Sequence, residues 1–499
     1  MRIAVAGGGI AGLAAAFELE KIRGKRAGLE YALFEAGDRL GGSLASDIVA
    51  EAVLERGPDS FLTEKPAAIE LCRELGLGDQ LVPSNDAARK TYIVVRNRLV
   101  ALPDGLMFLV PTKLLPTAFS PLFSLGTKMR MAMELLHPPT PNGYKDESVA
   151  ALVERHYGYE MVDRLADPLL AGIYGGDAAQ LSARAVLPRL VEMETQYGSL
   201  TRGMLALHRQ ARRRPPPSAA AGDGTGSARS ARPARPALFT ALRGGMQQLV
   251  DALTARLDPA SIHLSTPILA IDRDPDGWRV DAGGFVSIYD AVILALPAWA
   301  AAELLGGVDA QLSEELAAIP YSSSITVNLI YEEAGMRLPE GFGFLVPPSE
   351  NRSMLACTFA HHKFLGRTPP GKAVFRAFLG GMKNEALLAE PDSALVAIVR
   401  RELREILGDE VFGTATEPDH VQVSRWRRAM AQYAVGHEER TQRIAAHVKT
   451  LPNLRLAGNA YDGIGVPDCI RLGRQAAREL TADAAAAPPT APQVSSAVS

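Results

Sequence analysis

The chain opens on a short apolar run, Arg2–Ala6, that breaks at three consecutive glycines. A run of that kind, unalternating and cut off by glycine, predicts a strand buried on both faces of a parallel sheet. Residues 10–23 then carry apolar side chains at helical spacing, and residues 30–34 return to strand character. The three segments make a βαβ unit of about 30 residues. Residues 66–77 read as a helix, with Pro66 in its first turn and glycine near its end. From 111 to 207 the pattern is mainly helical, most clearly at 129–136, 149–156 and 161–170. Residues 289–296 predict a second parallel-type strand, and the runs at 324–331, 343–346 and 374–379 predict a further sheet.

Two segments lack such patterning. Residues 209–236 hold seven arginines among proline, alanine, serine and glycine, with no large apolar side chain. They bury too little surface to offset the entropy of ordering, which predicts a disordered insertion. Residues 486–499, rich in alanine, proline and serine, predict a disordered tail. The apolar stretch 106–125 is interrupted by Lys113, Pro111, Pro116 and Pro121, short of the roughly 20 apolar residues of a membrane span. It suits contact with a membrane surface instead. Residues 3–17 run through glycines into Glu18, Glu20 and Lys21 without a cleavage-like site, so they read as a buried element and not as a signal peptide.

At 499 residues the chain exceeds what one core usually serves. Its net charge of −3 argues against general nucleic-acid binding, which needs a basic surface to displace counterions. Cys72, Cys357 and Cys469 are odd in number and widely spaced, giving neither a disulfide framework nor metal-ligand spacing, as suits a reducing cytosol. Among nine histidines, His361 and His362 are the only adjacent pair, and a structural role is expected of them.

Chemistry enters with the glycines. Gly7, Gly9 and Gly12 form G-x-G-x-x-G between the first strand and its helix, spanning Ile10 and Ala11. Such a turn lets backbone approach a pyrophosphate at the helix N-terminus. Glu35, at the end of the second strand, is placed to accept the ribose hydroxyls and to repel the extra phosphate of NADP. The continuation Glu35, Ala36, Gly37, Asp38, Arg39, Leu40, Gly41, Gly42 resembles the signature of amine-oxidase-like flavoproteins, which points to FAD. Arg39 there suits the diphosphate, a local salt bridge to Asp38 or Glu35 being the plainer use. Near the C-terminus, residues 454–459 read as a strand ending at Gly458 and Asn459; Gly463, Gly465, Val466 and Pro467 then open a helix whose N–H groups could face the pyrimidine edge of a flavin.

At this point the resemblance becomes specific. ERGPDSF at 55–61, DPLLAGIYGGD at 167–177, LRGGMQ at 242–247, GFGFLVP at 341–347 and the 458–470 segment resemble the oxygen-dependent, FAD-containing protoporphyrinogen and coproporphyrinogen oxidases, over most of residues 1–480. The resemblance implies an α/β (α+β) architecture: a Rossmann-like FAD-binding domain (1–88, 237–298, 448–485) interrupted by a mixed-sheet substrate domain (89–105, 299–447) and a helical membrane-associating domain (106–208). It implies that Gly57, Pro58, Asp59 and Ser60 run beside the isoalloxazine, with Trp426 against it. Gly172 would offer a backbone carbonyl to a pyrrole N–H, and Leu345 and Phe378 would sandwich substrate rings. The basic residue that some members use for the substrate's propionates matches poorly here, and Arg89 or Lys90 stand nearest.

The activity so implied is six-electron oxidation of protoporphyrinogen IX or coproporphyrinogen III in haem biosynthesis. A bridge-carbon hydride passes to flavin N5, a pyrrole proton is lost, and O2 is reduced to hydrogen peroxide. The flavin carries the chemistry, so no catalytic protein side chain and no metal is required. Expected partners are the porphyrinogen and O2, with peripheral membrane contact, hand-over to the next haem-pathway enzyme and a homodimer left open; the expected location is cytoplasmic. Two rivals remain: an amine- or carotenoid-type flavin oxidase on the same scaffold, and a non-enzymatic, lipid-escort-like binding protein.

Overall fold

The computed structural model describes residues 1–107, 109–138, 145–213, 237–413 and 417–486. They fall into two compact units: Met1–Gly42 with Leu249–Ala317 and Arg443–Ser499, and Ser43–Gln248 with Ala318–Gln442. The sequence predicts three parts. The helices of 114–213 instead group with the mixed sheet, residues 43–88 and 237–248 join that second unit, and 299–317 join the first.

The first unit is built on a five-stranded parallel sheet in the order Ile262–His263, Glu30–Phe34, Arg2–Ala6, Ala291–Leu294, Leu454–Leu456. Its central strands are apolar on both faces and fully enclosed, from Ile3 to Val5 and from Ala291 to Leu294. The helix Ile10–Arg23 is apolar nearly all round and is buried from Ala11 to Leu19. Its one buried charge, Glu18, is met by Arg474 at 2.8 Å and Arg478 at 2.9 Å from the C-terminal helix Val466–Ala486. Lone burial of that carboxylate would be costly, and the two guanidiniums remove the cost. A three-stranded antiparallel sheet, Ile268–Asp274, Gly277–Ala282 and Phe285–Tyr289, completes the unit with two helices, Ala298–Leu305 and Ala310–Ala317.

The second unit centres on a seven-stranded mixed sheet in the order His420–Ala431, Tyr321–Glu332, Lys372–Gly380, Met354–Phe359, Gly343–Leu345, Thr91–Val95, Arg98–Ala101. One face presents Ile325, Val327, Leu329, Phe375, Ala377, Leu379 and Phe359 to a continuous core shared with the helix Asp392–Leu407. Register places Thr326, Asn328, Arg376, Phe378, Ala356 and Leu345 on the opposite face. Pro66–Glu74 forms the expected helix, three residues shorter than predicted.

Helices of the 114–213 stretch begin where serine caps them: Ser124 accepts from the Thr127 N–H, Ser148 from Ala151 and Ser182 from Ala185. The predicted helix over 161–170 is divided, because a π turn at Val162–Ala166 precedes Asp167–Tyr174. The last helix, Leu200–Arg213, runs five residues into the segment expected to be unstructured. The remainder of that segment and all but the first residue of the expected tail lie outside the described residues. No helix among the described residues is long and apolar enough to cross a membrane. Within 106–125, Leu106, Leu109, Val110, Leu122 and Phe123 are core, whereas Leu115, Phe119 and Leu125 are exposed.

Candidate active site

In the first unit the glycine turn does what its spacing predicts. Gly7 has φ +99°, and a Cβ there would stand 2.6 Å from the Ala295 carbonyl oxygen, so only glycine fits. A Cβ on Gly12 would lie 1.9 Å from the Gly7 carbonyl oxygen, which sets the helix directly on the turn. Gly9 is the opposite case, since a Cβ would meet nothing within 4 Å. The turn is thus tight behind and open in front. No side chain caps the helix that starts at Ile10, leaving its first N–H groups to an incoming anion.

Glu35 accepts the Gly8 N–H on one carboxylate oxygen and the Gly37 N–H on the other, each at 2.7 Å. Every carboxylate oxygen has two lone pairs, so capacity for the ribose hydroxyls remains. Gly41 bridges to Gly9, its N–H reaching the Gly8 carbonyl at 2.8 Å, while Gly42 passes close to the Gly9 Cα. The exposed Arg39 guanidinium donates to the Leu40 and Gly42 carbonyls, on the outer edge of the same turn; Ala36 is exposed beside it. These residues fit an adenine dinucleotide: an open glycine, uncapped helix N–H groups, a ribose acid and a cation.

The C-terminal helix differs in detail from expectation. The Asp468 carboxylate turns back and accepts the Gly465 N–H at 3.2 Å, so it takes one donor that the sequence left for the flavin. Gly463, at φ +96°, is obligatory because a Cβ would stand 2.3 Å from the Asp468 carboxyl carbon. Gly458, at φ +139°, ends the last parallel strand, Asn459 follows it, and Val466 and Pro467 are buried in the helix's first turn. An aspartate three residues after a loop glycine and inside a helix start was the available signal for this cap.

In the second unit three of the five sequence-predicted pocket residues, Gly172, Leu345 and Phe378, fall along one stretch of the sheet. A Cβ on Gly172 would lie 3.8 Å from the Leu345 side chain, so the exposed end of the Asp167–Tyr174 helix touches the sheet there. Register then gives a cross-strand row of Leu345, Ala356 and Phe378 on the non-core face. At about 4.8 Å per strand, Leu345 and Phe378 stand about 10 Å apart over a floor that Ala356 leaves low. The helix is pinned by Lys383, which meets Asp167 at 2.8 Å and Asp177 at 3.4 Å. Trp426, on the edge strand of the same sheet, donates its indole N–H to the Arg56 carbonyl at 2.8 Å, next to Gly57. A Cβ on Gly57 would stand 1.8 Å from the Ser43 carbonyl oxygen.

Arg89 and Lys90 lie apart from that row. Both are exposed; Arg89 lies 4.0 Å from Asp86 and Lys90 3.1 Å from Glu340. The register partner of Leu345 is Ile93, which puts Lys90 about 10 Å farther along the strand. Each pairs with a surface carboxylate near its own strand end, and neither joins the Leu345 row.

The sequence reading missed a buried charge cluster under residues 57–60. Asp59 is paired with Lys363 at 2.8 Å and Arg376 at 3.4 Å, and it accepts the Ser60 hydroxyl at 2.6 Å. Burial alone would raise its pKa, but the two cations outweigh burial and hold the carboxyl well below the usual range. Glu55, paired with Arg367, is pushed upward by burial against that guanidinium's pull. Partners more than 300 residues apart leave no local signal. His361 and His362 are packed against Phe359, and burial lowers His361 to about 4, in keeping with a structural role. All three cysteines are buried, and no group among the described residues could hold a metal ion.

Comparison with known proteins agrees with this geometry. Residues 10–481 match the model of the flavin-containing amine oxidoreductases. Coproporphyrinogen III oxidase of Bacillus subtilis (strain 168) is 32% identical, covering 95% of this chain and 96% of its own length. Human protoporphyrinogen oxidase is 32% identical over 95% of this chain and 97% of its own. A solved structure from Exiguobacterium sp. 255-15, assigned as a protoporphyrinogen oxidase, has a TM-score of 0.81 at 31% identity, covering 97% of this chain and 99% of that one. Glycine turn, ribose acid and full-length kinship agree on FAD as the cofactor. On this evidence the chain belongs to the flavin-containing amine oxidoreductase family, and within it to the porphyrinogen oxidases.

Proposed function

We propose that the protein removes six hydrogens from a porphyrinogen, coproporphyrinogen III in the first place, with O2 as terminal acceptor and hydrogen peroxide as co-product. The observation that carries this reading is the row Leu345, Ala356, Phe378, with Gly172 set against its Leu345 end. A broad, largely apolar macrocycle needs an apolar support with a low centre and a neighbour that has no side chain to obstruct it. Bound FAD supplies the hydride acceptor for each of three dehydrogenations. Gly7, Gly9 and the Ile10–Arg23 helix hold its pyrophosphate, and Glu35 its ribose. Residues 57–60 and Trp426 line the isoalloxazine in this reading, and the Gly172 carbonyl accepts a pyrrole N–H. The name of the Bacillus relative supports coproporphyrinogen over protoporphyrinogen.

The test supplies the FAD-loaded protein with each porphyrinogen in air and follows porphyrin fluorescence together with peroxide. Faster porphyrin formation from coproporphyrinogen III, with peroxide in proportion, is the expected result. Absence of porphyrin from either substrate overturns the reading; porphyrin without peroxide overturns O2 as acceptor. The exposed Leu115, Phe119, Leu125, Met129, Met133 and Leu136 further support membrane-surface contact by the helical stretch, through which a poorly soluble product could leave.

A further inference from the structure

Arg376 is enclosed, 5% exposed, on the non-core face of the mixed sheet. It makes three directed contacts. One amino group donates to the Gly57 carbonyl, another approaches Asp59 at 3.4 Å, and the guanidinium plane lies 4.8 Å from the centre of the Phe378 ring. The first two grip the 57–60 turn; the third grips the sheet row that bears Leu345 and Phe378. Arg367, also enclosed, backs this arrangement by donating to the Asp59 carbonyl at 3.3 Å and pairing with Glu55.

The cluster is not what stability alone selects. It encloses three cations, Lys363, Arg367 and Arg376, with two anions, Glu55 and Asp59, so one positive charge is in excess. The Nε atoms of Arg367 and Arg376 are buried without a partner among the described residues. Both line a small cavity with Glu55, Asp59 and Asn328. Buried ion pairs of this kind are commonly no more stable than an apolar replacement. They do fix direction, because a planar fork has one orientation in which all its bonds are met.

We propose that Arg376 is a positioning residue that locks the 57–60 turn to the Phe378 ring and brings one net positive charge to that turn. The functional meaning rests on the proposed reading, in which the turn adjoins the isoalloxazine and Phe378 adjoins the macrocycle. The lock then fixes the distance over which a hydride must pass, and the excess charge favours the reduced, anionic ring. Hydride transfer falls steeply with misplacement, by about 100-fold for 1 Å. Lysine can replace the charge but not the fork.

Two substitutions separate the parts, measured on the FAD-loaded protein. Arg376→Lys is expected to leave the flavin midpoint potential near wild type while slowing anaerobic flavin reduction by saturating coproporphyrinogen III about 10-fold or more. Arg376→Gln is expected to slow reduction similarly and to move the potential to more negative values. Asp59→Asn with Arg376→Gln removes both charges together and guards against misfolding of the single variants; it should recover stability but not the rate. Wild-type reduction rates in folded Arg376→Lys, or in the double variant, overturn the lock. An unmoved potential in Arg376→Gln overturns the role of the charge, and that readout needs no substrate. If the wild-type protein itself is not reduced by a porphyrinogen, the functional reading fails while the potential still tests the cluster.

Discussion

Gly473 of the C-terminal helix lies so close to Ala11 that a Cβ on it would stand 2.0 Å from the Ala11 carbonyl oxygen. The contact seats the last helix on the first turn of the dinucleotide helix. In an open helix, glycine to alanine gains about 1 kcal/mol. Here Gly473→Ala is expected to reverse sign and destabilise by about 1–3 kcal/mol, as overpacking does. Thermal unfolding checks the stability, and the rate of flavin loss on dilution should rise with it.

Glu35 holds the Gly8 and Gly37 N–H groups and keeps lone pairs for the ribose. Glu35→Gln turns one acceptor oxygen into a donor facing an N–H. A lost charged hydrogen bond is worth about 1.5–3 kcal/mol. FAD affinity should therefore fall about 10- to 100-fold, read by titrating flavin fluorescence into the flavin-free protein.

Gly172→Val should act on the substrate alone. Branched carbons at Gly172 would press on Leu345, whose side chain already lies 3.8 Å from the Cβ position. A branched side chain there obstructs a ring placed over Leu345, and about 1–3 kcal/mol of lost binding corresponds to a fall of about 5- to 150-fold in kcat/KM. Flavin content and thermal stability should stay near wild type, since Gly172 is exposed.

Buried in the helical stretch, His156 sits 3.1 Å from Glu134 and 3.2 Å from Glu194, which Arg155 also pairs. Burial lowers the His156 pKa, but the two carboxylates outweigh it and the net shift is upward from 6.5. That contribution is complete below 6.5 and is lost as pH rises through the raised value. Burial raises Glu194, but His156 and Arg155 outweigh it and bring it from 4.5 down to about 2. Its contribution is complete above 4.5 and is lost as pH falls toward 2. Thermal stability should therefore decline on both sides, and His156→Gln should remove the alkaline decline. An unaltered alkaline limb in that variant would contradict the assignment.

Phe119 is 84% exposed on the helix Leu114–Phe119, near Leu115 and the solvent-facing Leu125. Flotation with vesicles of mixed neutral and anionic lipid should carry the wild-type protein upward. Phe119→Asp with Leu115→Ser should leave it at the bottom while porphyrin formation in detergent is kept. Failure of the wild type to float removes the membrane contact.

How much of this was legible beforehand depended on how far apart the interacting residues lie. Arg2–Ala6, Ile10–Arg23 and Glu30–Phe34 were readable to the residue because an apolar run meeting glycine is a local event. The strand predicted over 289–296 is really Ala291–Leu294, since Tyr289 ends the preceding antiparallel strand and the apolar run hides the turn. His420–Ala431 was not foreseen as a strand; as an edge it carries arginines where a central strand would carry valines. Lys90 was singled out for its place before the strand Thr91–Val95, and its partner Glu340, 250 positions away, could not be seen from there. The Asp59 to Arg376 pair is invisible for the same reason.

The order of the parallel sheet has a bearing on synthesis. Arg2–Ala6, the first strand made, takes its neighbour from Ala291–Leu294, and the sheet is finished only by Leu454–Leu456. A ribosome must therefore deliver more than half of the polypeptide before the first strand, paired early with Glu30–Phe34, gains its second flank, and nearly all of it before the sheet is complete. Chaperone protection of the nascent amino terminus, and loss of folding on truncation ahead of Leu454, are the expected biological counterparts of that strand order.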